Sequence, residues 1–202
     1  IIAQNSGRHT GLVKASSGGG GVWNLIKTYT ASSDADLSFV DGTDGVDFTA
    51  YDEFVFKFIN MHPGTNNTHI TFNFSIDSGS NYNVAKTSSA FRAQHAENDE
   101  DAGLSYIAAL DLAQGTGFQN LGGPIADDND LGGAAYLRLF DPSSTTFVKH
   151  FMSVQQITDT SGYSINDFIA GYGNTTSAVD AVQFKMTTGN IDAGQISLYG
   201  IS

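Results

Sequence analysis

Phe54, Phe56 and Phe58 recur at every second residue between Glu53 and Asn60, with Val55, Lys57 and Ile59 between them. Successive side chains of an extended chain point to opposite faces, so this spacing places three phenyl rings on one face and specifies a strand. A second run repeats it: Ile70, Phe72, Phe74 and Ile76 share one face, His69, Thr71, Asn73 and Ser75 the other. The turn-forming stretch His62-Pro63-Gly64-Thr65-Asn66-Asn67 separates the runs, and Asp77-Ser78-Gly79-Ser80 ends the second. The pattern predicts two adjacent antiparallel strands whose Phe rows line one side of a sandwich core.

Comparable signals fill the rest of the chain. Strands are expected at Val22–Thr30, around Leu37 and Phe39, and at Ala135–Phe140, where Tyr136, Arg138 and Phe140 alternate with Leu137 and Leu139. Others are expected at Thr146–Val154, Val179–Met186 and Gln195–Ile201, with weaker ones at Tyr82–Val84 and Ala90–Ala93. Leu104–Leu112 fits a helix or a strand, Gly162–Gly173 a helical turn or an irregular strand, and Gly115–Gly133 reads as loop. Nine to eleven short strands without a helix-rich region favour an all-β, jelly-roll-like antiparallel β-sandwich. Glycine (23) far outnumbers proline (3), as tight turns between strands require. Residues 1–21 end in Ser16-Ser17-Gly18-Gly19-Gly20-Gly21 and read as an N-terminal arm with a flexible linker, leaving 22–202 as the sandwich domain.

The chemistry is sparse. There is no cysteine, which removes disulfides, zinc–thiolate sites and thiol nucleophiles. A net charge of −12 repels phosphate backbones and anionic headgroups, so neither nucleic acid nor membrane is expected as a partner. The first residues, Ile1 to His9, lack the charged-then-apolar layout of a secretory signal. Metalloprotease, serine-hydrolase, P-loop and dinucleotide motifs are all absent from the sequence. His9, His62, His69, His95 and His150 form no pair at metal-ligand spacing. The acidic runs Glu97-Asn98-Asp99-Glu100-Asp101 and Asp127-Asp128-Asn129-Asp130 lie in polar loops, where nothing raises a carboxyl pKa for acid catalysis, and no enzyme is expected. Calcium is the one cofactor with candidates: Asp41, Asp44 and Asp47, and Asp127, Asp128 and Asp130, offer clustered oxygens without EF-hand spacing. Trp23, Tyr29, Tyr51, Tyr163 and Tyr172 are candidate sugar-stacking residues.

Several stretches together carry a resemblance. They include Phe39-Val40-Asp41-Gly42, Tyr51-Asp52-Glu53-Phe54-Val55-Phe56-Lys57-Phe58-Ile59-Asn60 and Phe74-Ser75-Ile76-Asp77-Ser78-Gly79-Ser80-Asn81-Tyr82. Further along come Ser143-Ser144-Thr145-Thr146-Phe147-Val148-Lys149-His150-Phe151, Gly171-Tyr172-Gly173-Asn174-Thr175-Thr176-Ser177, and Val182-Gln183-Phe184-Lys185 through Gly189-Asn190-Ile191-Asp192-Ala193-Gly194 to Leu198-Tyr199-Gly200-Ile201. In these strand-and-turn signatures the chain resembles small β-sandwich virion structural proteins of tailed, especially marine, bacteriophages. The resemblance implies a particle-surface module of the capsid-decoration, head-fibre or tail-fibre type, with no catalytic residues to carry over. Other virion proteins are then the expected partners, and a homo-oligomer, a trimer by analogy with phage appendages, the expected state. A host-surface glycan is a candidate ligand, and a free carbohydrate-binding module is the alternative function.

Overall fold

The computed structural model describes residues 21–202; the expected arm and linker lie outside the described residues except for Gly21. The described residues form twelve strands and no helix. They are β1 (Trp23–Thr30), β2 (Leu37–Val40), β3 (Glu53–Pro63), β4 (Ile70–Ser75), β5 (Lys86–Ala96), β6 (Ala102–Tyr106), β7 (Gln119–Asn120), β8 (Gly133–Phe140), β9 (Lys149–Thr158), β10 (Tyr163–Gly173), β11 (Ala181–Met186) and β12 (Ile191–Ile201).

Two antiparallel sheets pack face to face. The large sheet has the order β1-β12-β3-β8-β9-β10-β5-β6, the small one β2-β11-β4-β7. Leaving aside the hairpins β5–β6 and β9–β10, the remaining strands enter the large and small sheets in the sequence large, small, large, small, small, large, small, large. The resulting blocks, β1-β12-β3-β8 opposite β2-β11-β4-β7, are the two four-stranded sheets of a jelly roll. The expected jelly-roll-like sandwich is therefore what forms. The two extra hairpins are inserted between β4 and β7 and between β8 and β11, and they add strands side by side to widen one sheet to eight.

The core is a lattice of phenyl rings meeting edge to face, the arrangement that ring quadrupoles favour. Phe184 on β11 lies 5.0 Å from both Phe56 and Phe58 on β3, and Phe39 on β2 lies 5.2 Å from Phe56. Phe72 and Phe74 on β4 meet Phe151 on β9 at 5.1 and 6.1 Å. The two Phe rows thus come from opposite sheets, correcting the expectation that β3 and β4 are adjacent. Periodicity says which residues share a face, not which strand is the neighbour. The six residues between the strands reach roughly 20 Å when extended, ample for the ~10 Å between stacked sheets. Before the crossing, β3 is bent: its register shifts between Phe58 and Met61, and Asn60 has φ of 50°. Opposite that bend Gly194 has φ of 116°, and a Cβ there would sit 2.7 Å from the Asn60 carbonyl oxygen, so only glycine fits.

Beyond the small sheet's edge, the inner face of β5, β9 and β10 is covered by the 107–131 segment through polar contacts. Fully buried Asp167 on β10 takes two bonds from Arg92 on β5, at 2.8 and 3.0 Å, and one from the Gly123 amide at 2.6 Å. Gln155 donates to the Gly123 carbonyl and Ser153 to the Leu121 carbonyl, both at 3.1 Å. A Cβ at Gly123 would lie 2.4 Å from an Arg92 nitrogen, so the loop's close approach to the ion pair depends on glycine. The segment read as loop also contains the two-residue strand β7. Leu104–Leu112 contributes β6 and then turns, and Gly162–Gly173 holds a regular eleven-residue strand.

Candidate functional site

The outer face of the large sheet is where sequence and fold leave unsatisfied surface. Strand pairing aligns one row of outward side chains across all eight strands: Thr28, Ser197, Lys57, Tyr136, Val154, Phe168, Phe91 and Tyr106. A second row, two residues along, runs Leu25, Tyr199, Val55, Arg138, Met152, Ala170 and Ser89. A third carries Ile59 on β3 and, from β8 to β6, Ala134, Gln156, Asn166, Ala93 and Leu104.

Among the described residues eleven large apolar side chains are exposed, and eight of them stand on this face. Trp23 and Leu25 lie on the β1 edge, Ile59, Tyr136 and Met152 in the middle, and Phe91, Leu104 and Tyr106 on the β5–β6 side. Leu25 is 60% exposed, Met152 52% and Leu104 74%. Neighbouring rings brace one another: Phe91 stacks on Phe168 at 4.8 Å and 7°, and Trp23 packs against Tyr199 at 5.5 Å and Tyr136 at 6.3 Å. A shallow groove of about 350 Å³ runs between Trp23, Val55, Tyr136, Arg138 and Val154.

Charge is distributed unevenly. All 21 acidic residues follow residue 20 in the sequence, yet the three rows hold no carboxylate; Glu53, two residues before Val55, is ion-paired with Arg138, and Asp111 accepts the Tyr106 hydroxyl at the β6 edge. Lys57 is the remaining formal charge among the rows. A sheet face in water is normally polar; this one carries eight exposed large apolar side chains among its polar ones.

The calcium candidates do not converge. Asp41 accepts the Phe48 amide at 2.7 Å. Asp44 lies 2.9 Å from the Lys27 ammonium and accepts the Tyr29 hydroxyl at 3.2 Å; the Lys27 bond first, then the Tyr29 bond, hold its carboxyl below the usual range. Asp47 is held low by the Thr49 hydroxyl and amide. Asp127, Asp128 and Asp130 are exposed on the loop before β8, and Asp130 borders a separate groove with Asn60 and His62. Among the described residues no three His, Asp or Glu side chains gather into a metal-holding group.

The acidic turn between β5 and β6 borders an open depression of about 480 Å³ with Ser161 and Tyr163. Asp101 accepts the Tyr163 hydroxyl at 3.3 Å, and its negative charge pushes the phenol pKa up. The histidines stay apart: His69 bonds the Gly122 carbonyl at 2.9 Å, His95 pairs with Asp99, His62 lies 3.7 Å from Asp192, and His150 leans on Tyr172. His9 lies outside the described residues.

Of the expected sugar-stacking residues, Trp23 on β1 and Tyr172 on β10 stand on the outer face, Tyr172 two residues beyond Ala170. Tyr29 packs on Phe39 and Tyr51 on Phe54 as core rim. No local stretch of sequence marks Tyr136, Tyr199, Phe91 and Phe168, because four different strands supply them and only the register brings them together. Compared with protein families, curated proteins and solved structures, the chain matches none.

Proposed function

We propose that the chain is a phage virion structural protein, displayed on the particle as a capsid decoration or a head- or tail-fibre component, and not an enzyme. In this reading it assembles with other virion subunits and contributes to host-surface attachment. The observation that supports it most is the broad apolar outer face of the large sheet, built on a rigid jelly roll. Exposed apolar patches of more than a few hundred Å² mark interaction sites, and a face spread over eight strands suits a macromolecular partner better than a small substrate. The Asp- and Asn-rich turns around the sheets keep the assembled module soluble.

The test is mass spectrometry and immunogold labelling of gradient-purified particles from a phage encoding this chain. The expected result is stoichiometric copies at the particle surface. Absence from purified particles, with the protein free in the lysate, overturns the reading and favours a free carbohydrate-binding module with the Trp23 groove as its sugar site.

A further inference from the structure

We propose that the outer face of the large sheet is the contact between two copies of this chain, laid face to face about a two-fold axis. This deepens the assembly reading above by naming the partner of the same surface.

Area supports it. Seven inter-strand gaps of about 4.8 Å make the face roughly 34 Å wide. Three rows of outward side chains extend roughly 20 Å along the strands. The product, roughly 700 Å², approaches the ~800 Å² that each partner contributes to a standard stable interface. Trp23, Tyr136 and the stacked Phe91–Phe168 pair supply the aromatic anchors that dominate such contacts.

Charge supports a copy of itself in particular. Two chains of net charge −12 repel, so self-association requires a contact from which carboxylates are excluded. The three rows meet that condition: they hold no carboxylate, Glu53 beside them is neutralised by Arg138, Asp111 at the β6 edge is held by the Tyr106 hydroxyl, and the acidic turn of residues 97–101 lies beyond the end of β5. A basic partner would find no unpaired carboxylate among the three rows to recognise.

Symmetry fixes the stoichiometry. One self-complementary patch meeting itself closes a dimer. A ring of three needs two different patches, and a single continuous face supplies one, so this contact gives pairs and not the trimer expected by analogy.

Sedimentation equilibrium of the full chain tests the proposal. The expected species at about 100 µM has twice the 21.4 kDa chain mass. Met152→Asp and Leu25→Glu each bury a carboxylate in the contact, and are expected to weaken pairing roughly 100-fold or more with an unchanged circular dichroism spectrum. Phe147→Asp, at a residue 67% exposed but off the face, is expected to remain paired. A monomeric wild type, a trimer, or a pair that survives both face substitutions overturns the proposal. If Met152→Asp fails to fold, the wild-type mass and Leu25→Glu still decide. A monomer that binds a glycan or another virion protein through Trp23 assigns the face to that occupant instead. None of these outcomes bears on presence in the particle, which the virion reading separately requires.

Discussion

Lys86 is fully buried, and its ammonium reaches neutral acceptors, the Asn73 side-chain oxygen at 2.5 Å and the Val84 carbonyl at 2.8 Å. Burial pulls its pKa from 10.5 down to about 7. Folding therefore favours the uncharged amine. Below pH 7 both states hold the proton and the full cost of burying it is present. Between about 7 and 10.5 the unfolded chain holds a proton that the folded chain has released, so stability rises with pH across that window. The gap corresponds to at most about 5 kcal/mol. Lys149, also buried and shifted down by desolvation, acts in the same direction. Urea titrations at stepped pH are expected to show this rise in the wild type and to lose most of it in Lys86→Met. An unchanged slope in the variant would contradict the assignment. Nothing in the sequence around Lys86 announces burial; its surroundings come from β4 and the segment after it.

At the scale of elements, legibility follows from which side of a strand is apolar. Strands β3, β4 and β8 show clear alternation because phenylalanines or leucines fill their inward positions. Strand β10 reads poorly because its pattern is mixed: Asp167 points inward to Arg92, while Phe168 points outward onto Phe91. Strand β5 is faint for the same reason, with Arg92 inward and Phe91 outward. The short β7 has no pattern to read at two residues. Phe184 ties β11 to β2 and β3 through three ring contacts, so Phe184→Ala should leave a cavity between the sheets. The expected cost is roughly 3–5 kcal/mol in equilibrium unfolding. A loss under about 1 kcal/mol would mean that the inter-sheet packing is not as described.

For the whole molecule, the periodicity points to a two-layer sandwich, whereas the jelly-roll order depends on pairings between distant residues such as Trp23 with Ile201. The same pairings create the apolar outer face, which no local window contains. The two added hairpins explain its size: without β5, β6, β9 and β10 the sheet would have four strands and half the width. A widened, carboxylate-poor sheet face on a strongly acidic chain is the central feature of the account, and the three methionines provide a probe of it. Met152 is 52% exposed on that face, whereas Met61 and Met186 are 1% and 3% exposed in the core and act as internal controls for folding. Peroxide oxidation followed residue by residue, at dilute and concentrated protein, tests the pairing most directly. The expected result is rapid oxidation of Met152 in dilute solution and strong protection at high concentration, with Met61 and Met186 slow throughout. Met152 oxidising at the same fast rate at every concentration would contradict the account.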